Sequence, residues 1–238
     1  MIVNADVKGL EVAVAAWLSQ DKVLIDELVN KVDIHSVNQQ RFGLPSRLIA
    51  KTLKFRILYG GSGYAFARDP AFRDVSSKHK FWDAIIEEYY AKYSGIKKWH
   101  NQLVYEASTT GRVVCPTGRF FKFASREGNW PVTQIKNYPV QGTGADLVSL
   151  SRIEFFRLIK ERKIDCSPVA TVHDSIVVDC PVSSVPACAK ALSEAVERIP
   201  ALYTMRFGGM LNVPITAEVS VGPNLGDLED YAIEHYDR

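Results

Sequence analysis

The chain has 238 residues, 47% of them hydrophobic, enough to bury the core of one large domain or two small ones, which excludes a disordered or fibrous class. Subtracting 27 acidic from 29 basic side chains leaves a net charge of +2, and that balance alone singles out no class of partner. No apolar run approaches the roughly 18–20 residues that span a bilayer, and the opening MIVNADVKG lacks the basic start and long apolar stretch of a signal peptide, so a cytoplasmic protein with no membrane partner is expected.

In chain order, Met1 to Asp6 alternates apolar and polar side chains like a short strand, and LEVAVAAWL reads as the helix after it. The strand thus delivers Asp6 to a strand-to-helix turn. From Asp33 to about Ser108 helical patterns dominate: DIHSVNQQRFG, the segment from Ser46 to Tyr59, a stretch from Ser76 to Tyr93 and another after Gly95. Between Gly111 and Phe123, β-branched and aromatic residues around Pro116-Thr117-Gly118 predict a small hairpin, and VQGTGADLVSLSRIEFFRLIKERK predicts one long helix. VATVHDSIVVDCP is β-rich on both sides of His173-Asp174, which places that pair at a tight hairpin turn. A helix from Val182 to Arg198 and a last strand in NVPITAEVSVG complete the pattern. The fold class is α+β, an outer sheet-and-helix layer carrying a helical insertion, with no repeat or linker to mark a border. Cys115, Cys166, Cys180 and Cys188 are scattered, with no C-x-x-C pair and no zinc-finger spacing, so reduced structural thiols are expected.

The strongest electrostatic feature is a window from Ile34 to Ala67 that has no Asp or Glu but holds Arg41, Arg47, Lys51, Lys54 and Arg56. At a helical period, Arg47, Lys51, Phe55 and Tyr59 lie on one stripe with Lys54 beside them, while Ile49, Leu53 and Ile57 form the opposite, core-facing stripe. An ordinary solvated helix interleaves acids for i,i+4 pairing and rarely sets Phe and Tyr on its polar side. A polyanion with flat rings satisfies both oddities, its phosphates meeting cations and its bases or sugars meeting aromatics. The run Gly60-Gly61-Ser62-Gly63 fits no phosphate-binding fingerprint and reads as a helix stop.

Asp6 and Asp174 both sit where a strand ends or turns, separated by the whole helical insertion. Alone, each could be a turn or cap residue. Together with a phosphate-gripping helix they suggest a sheet-borne site for two magnesium ions about 3.5–4 Å apart, the device of in-line nucleotidyl transfer. His173 beside Asp174 is either a ligand or base, or a turn histidine packed on backbone.

DVKGLEV at Asp6, RLIAKTLKFRILYG at Arg47 and TVHDS at Thr171 resemble, in this order, motifs A, B and C of family A DNA polymerases, with the phage replicative members most alike in appearance. DIHSVNQQRFGLP, GRVVCPTGRFF and NYPVQGTGADL also resemble the family's intervening segments, so the likeness covers nearly the whole chain. The resemblance implies a palm with an antiparallel sheet (1–32, carrying motif A, and 127–238, carrying motif C) and mostly helical fingers (33–126) whose nucleotide-binding helix spans 46–59. It implies Asp6, Asp174 and the Val7 carbonyl as ligands of two Mg2+ ions, and Arg47, Lys51 and His35 as the grip on the incoming triphosphate. Phe55 then stacks at the nucleotide sugar and base, and lacks the hydroxyl that would let a dideoxynucleotide pass. Glu11, with Phe55, closes the space of a ribose 2′-OH, and Tyr59 ends the helix on the template side. Asn137, Gln141 and His173 match residues near the primer terminus. The sequence departs from the family at Ala13, where motif A usually has Arg, at Ser175, where motif C has a second carboxylate, and at Arg56, where Gly is usual.

The implied function is template-directed addition of deoxynucleotides to a primer 3′-OH, with primer-template DNA and dNTPs as partners. A non-catalytic nucleic-acid-binding module of polymerase-like fold is the alternative; it has no need of metal carboxylates that would repel DNA. A two-metal nuclease would not need the triphosphate stripe. Nothing in the chain resembles the thumb, the 3′-5′ exonuclease or the palm segment preceding motif A, so a second polypeptide supplying them is expected, with a fragment of a longer chain as the other explanation. Its interface is expected around Ile2, Val3 and the strands flanking Asp174, on the premise that the first strand has an unpaired edge.

Overall fold

A computed structural model describes residues 1–233. The chain forms two compact units, one built from Met1–Ala13 with the chain from Thr143 onward, the other from Val14–Gly142. The divisions fall inside two helices, α1 (Leu10–Ser19) and α8 (Val132–Arg162).

The first unit is organised by a five-stranded antiparallel sheet of order β4-β5-β1-β6-β7, from β1 (Ile2–Val7), β4 (Ser167–Val172), β5 (Ser175–Asp179), β6 (Ala217–Gly222) and β7 (Glu229–Asp230). Alternation in β1 buries Val3, Ala5 and Val7. Helix α9 (Val185–Glu197) covers β1 and β6 with Ala189, Leu192 and Val196, all fully buried, and α10 (Ile199–Phe207) follows it. The α+β class stands. The premise of an unpaired first strand does not: β1 is the central strand, pairing from Ile2↔Asp179 to Asp6↔Ser175 on one side and from Ile2↔Gly222 to Val7↔Ala217 on the other. Strands far along the chain supply both neighbours, which hydropathy in β1 could not reveal. The edges are β7 and β4, and β4 exposes Val169 and Val172 at 57% and 50%.

The second unit is helical: α2 (Lys22–Val29), α3 (Ile34–Arg41), α4 (Arg47–Leu58), α5 (Gly63–Arg68), α6 (His79–Lys92) and α7 (Ser94–Thr110), with a hairpin of β2 (Arg112–Val114) and β3 (Phe120–Lys122). Side-chain caps set the helix starts. Asp21 accepts from the backbone N–H of Leu24 at 2.9 Å and, at the head of α7, from Gly95 at 2.7 Å, so one buried carboxylate satisfies two helix N-termini. An aromatic knot of Phe66, Phe72 and Trp82, with centroids 5.0–5.9 Å apart, fills the space under α5 and α6. The predicted hairpin and its Gly111–Phe123 frame are present, and Val113 and Phe123 join Leu103, Ala107 and Ile135 in a second core.

Several elements escape sequence reading. Helix α8 starts at Val132 and carries Pro139 internally, whereas the pattern suggested a start after the proline. A β carbon at Gly142 would lie 2.5 Å from the Phe121 ring, so the hairpin reaches the helix only over a glycine. The helix expected from Val182 begins as a 3₁₀ turn at Val182–Ser184 and becomes α9 at Val185. All four cysteines are free thiols; Cys188 touches both Cys166 and Cys180, and burial raises its pKa.

Candidate functional site

Asp6 lies near the end of β1, facing Ser175 across β5 and Glu218 across β6. Asp174 stands in the turn between β4 and β5, where His173 adopts a left-handed φ of 54°. The Val7 N–H donates to the Asp174 carbonyl at 3.1 Å, fastening this turn to the end of β1. Burial, then the charges of Asp174 and Glu218 and a hydrogen-bonding contact with Asp174, push the Asp6 pKa up to about 6. The tertiary pairing thus brings together two aspartates separated by most of the chain. In the place of a second motif C carboxylate, the Ser175 hydroxyl donates to the Val172 carbonyl at 2.9 Å and closes the turn.

Glu218 is a third carboxylate that sequence reading missed. It sits in the alternating TAEVSV, and only the β1–β6 register puts it beside Asp6; Lys8 Nζ holds it at 2.7 Å. Among the described residues no group of three or more His, Cys, Asp or Glu is arranged to hold a metal ion. The Asp6–Asp174 pair itself is a hard, all-oxygen donor set whose mutual repulsion a divalent cation offsets, so its chemistry fits magnesium. Glu11 is half-buried in the first turn of α1, and Ala13, in place of an arginine, is buried in that helix.

In the other unit, Ser46 caps α4 by accepting from the Ile49 N–H at 3.2 Å. Arg47 and Lys51 project to the surface, with Phe55 and Tyr59 half-buried behind them. The stripe therefore exists, with two corrections. Arg47 grips Asp33, the N-cap of α3, in a bidentate pair with Nε–Oδ2 at 2.8 Å and Nη2–Oδ1 at 3.0 Å, which holds the Asp33 pKa well below the usual carboxylate range. Asp33 lies one residue outside the acid-free window, so only the fold shows this neutralisation. Lys54, expected beside the exposed stripe, is buried, because Ala50, Leu53, Lys54, Ile57 and Leu58 together form the face turned inward. Arg56 pairs with Asp69 at 2.7 Å.

His35 is the second residue of α3, half-buried; burial, then Lys54 and Arg47, lower its pKa to about 4, so it is neutral at physiological pH. Asn137 and Gln141 are one turn apart on α8, and the Gln141 Nε2 donates to the Tyr59 hydroxyl at 2.9 Å. His173 is exposed. The candidates thus form groups within units: Asp6, Asp174 and His173 in one, and His35, Arg47 and Lys51, with Tyr59 joined to Gln141, in the other.

The model of DNA polymerase family A matches residues 1–227. The chain belongs to DNA polymerase family A. It is 28% identical to the DNA polymerase I of Caldicellulosiruptor bescii over 94% of its own length and 26% of that protein's, and 25% identical to the DNA polymerase of Bacillus phage SP01 over 98% and 27%. It spans about a quarter of the length of these curated relatives. Its fold matches the polymerase domain of Pol1 from M. smegmatis, solved with DNA primer-template and dNTP, with a TM-score of 0.77 at 21% identity, covering 92% of this chain and 38% of that one. The segments that resemble motifs A, B and C all lie within the matched residues. No helix among the described residues is long and apolar enough to cross a membrane.

Proposed function

We propose that this chain is the catalytic palm-and-fingers part of a template-directed DNA polymerase, adding deoxynucleotides to a primer 3′-OH. The pair Asp6–Asp174, brought together at the end of the central strand where the Val7 N–H ties the Asp174 turn to β1, carries this reading. Palm segments 1–32 and 127–238 hold the carboxylates, and fingers 33–126 hold the nucleotide.

Asp6, Asp174 and the Val7 carbonyl would hold two Mg2+ ions, which when bound lower the pKa of the primer 3′-OH and neutralise the triphosphate. The protein's own groups do the rest. Lys51 offsets negative charge building on the α-phosphate and departing pyrophosphate, and Arg47 exchanges Asp33 for a phosphate of the dNTP. The neutral His35 donates a hydrogen bond to the triphosphate. Phe55 stacks on the sugar and base, and Glu11 with Phe55 excludes a 2′-OH. Asn137, Gln141 and His173 contact the primer terminus through the minor groove, where hydrogen bonds check pairing without reading sequence. We also infer a second polypeptide that covers the exposed edge strand β4. Val169 and Val172 on that edge support this, in place of the β1 edge assumed from sequence. The place of action is the cytoplasm, that of the host for a phage-encoded chain.

The test is extension of a labelled primer on a template with dNTPs and Mg2+, by the chain alone and with candidate partner polypeptides. Template-directed extension that requires Asp6 and Asp174 upholds the proposal. No extension under any of these conditions, with DNA still bound, favours a non-catalytic binding module.

A further inference from the structure

Lys54 is the feature of the cationic helix that a simple phosphate grip leaves unexplained. Arg47, Lys51 and Arg56 on α4 are exposed, whereas Lys54 is 3% exposed. A buried ammonium ordinarily comes with its own carboxylate. The carboxylate acting on it most strongly, Glu27 of α2, is already engaged: Lys92 Nζ lies 2.7 Å from Glu27 Oε1, and the Tyr93 hydroxyl donates to Oε2 at 2.8 Å. Lys92 also donates to Asn38 Oδ1 at 2.7 Å. Among the described residues Lys54 makes no ion pair; its ammonium lies 5.2 Å from the centroid of the Phe55 ring. On α3, packed against α4, two buried polar atoms lack partners, Asn38 Nδ2 and His35 Nδ1. The layer beneath Arg47 and Lys51 is thus built with one cation too many and with unsatisfied polar atoms, as expected of a site completed by an anion.

We propose that Lys54 is a reserve cation for a polyphosphate site on α4: it is buried without a carboxylate of its own and takes up a proton from solvent when a triphosphate docks on Arg47, Lys51 and His35. This rests on the reading of α4 as the nucleotide-binding helix. The groups that act on Lys54 are Glu27 from α2, Asp33 at the cap of α3, His35 from α3, Arg47 and Lys51 from α4, and, through Glu27, Lys92 and Tyr93 at the end of α6. Burial comes first, and with the two neighbouring cations it outweighs the carboxylates and lowers the ammonium pKa to about 7. An arriving polyanion reverses the sign of the field from the surface side, and the only bond that forms on Lys54 is an N–H bond. By linkage, nucleotide affinity must then fall as pH rises above neutrality.

The test is calorimetry of dNTP with Mg2+, and of inorganic tripolyphosphate, binding to the full chain in buffers of different ionisation enthalpy. The parent should take up about half a proton per site at pH 7, and its affinity should fall about tenfold between pH 7 and pH 8.5. Lys54→Met should bind more weakly, without that uptake, leaving only the proton linkage of the phosphate itself. Lys54→Arg, charged throughout, should bind without the uptake and with only the pH dependence of the phosphate itself, and it decides the matter if the Met variant does not fold. Identical proton uptake in the parent and Lys54→Arg overturns the reserve-cation role while leaving the nucleotide site standing. No binding of either probe by the parent overturns the nucleotide site itself and the present inference with it.

Discussion

The carboxylate site and the cationic helix are built by opposite means. On the sheet, Asp6 and Asp174 meet because β1 pairs with β5 and a backbone hydrogen bond ties Val7 to Asp174, so two like charges are forced into a shared, partly buried place. On α4, local periodicity spaces Arg47 and Lys51 one turn apart, and the like charges remain at the surface, one of them already answered by Asp33. A charge placed by long-range pairing cannot move away from its neighbour, whereas a charge on an exposed stripe can exchange partners. The first arrangement suits a fixed cation, the second a substrate that arrives and leaves.

The largest expected effect breaks the fixed site. Asp6→Asn or Asp174→Asn should lower nucleotide incorporation by a factor of about 1,000 or more while DNA binding is unchanged or stronger, since each change removes a ligand and a negative charge facing phosphate. Primer extension and a binding titration check both halves; either variant working within tenfold of the parent defeats the two-metal assignment. The exchangeable site should respond less. Lys51→Ala and Arg47→Ala should lower kcat/KM for dNTPs roughly ten- to a hundredfold, the equivalent of one charge-assisted hydrogen bond each. Loss of primer-template affinity with unchanged dNTP kinetics would make α4 a duplex-binding element instead.

A third experiment probes the helical unit by acid. His100 in α7 is buried, with its Nδ1 3.0 Å from the Tyr90 hydroxyl, and burial, then Lys136, lowers its pKa to about 3; that of His35 falls to about 4. Unfolded histidine titrates near 6.5, so the unfolded chain binds more protons between that value and the folded ones, and stability falls as pH drops through this window. His100→Phe should recover about 2–4 kcal/mol of this acid loss by pH 4. Chemical denaturation of parent and variant at pH 7 and pH 4 measures it, and equal acid losses would show that His100 accepts its proton without cost. The smallest effect concerns selectivity. Phe55→Tyr should relax discrimination against dideoxynucleotides, by restoring a hydroxyl near the sugar, without changing use of ordinary dNTPs; equal dideoxynucleotide use by parent and variant rejects this placement of Phe55.

The sequence by itself determined what depends on near neighbours. Alternation in Met1–Asp6 gave a strand, the 3.6-residue period gave a helix over Arg47–Leu58, and the β-rich flanks of His173-Asp174 gave a hairpin, since each is decided within a few residues. The resemblance to ordered motifs also singled out Asp6 and Asp174, which the fold brings together. Tertiary structure alone decided which strands flank β1, that Glu218 stands beside Asp6, that Asp33 holds Arg47, and that Lys54 turns inward to face a Glu27 already taken by Lys92. The physical reason is common to all four. Strand neighbours, ion partners and burial are set by residues brought close in space across gaps in sequence, and a hydropathy pattern records only which side of an element is apolar, not which charge will be waiting there.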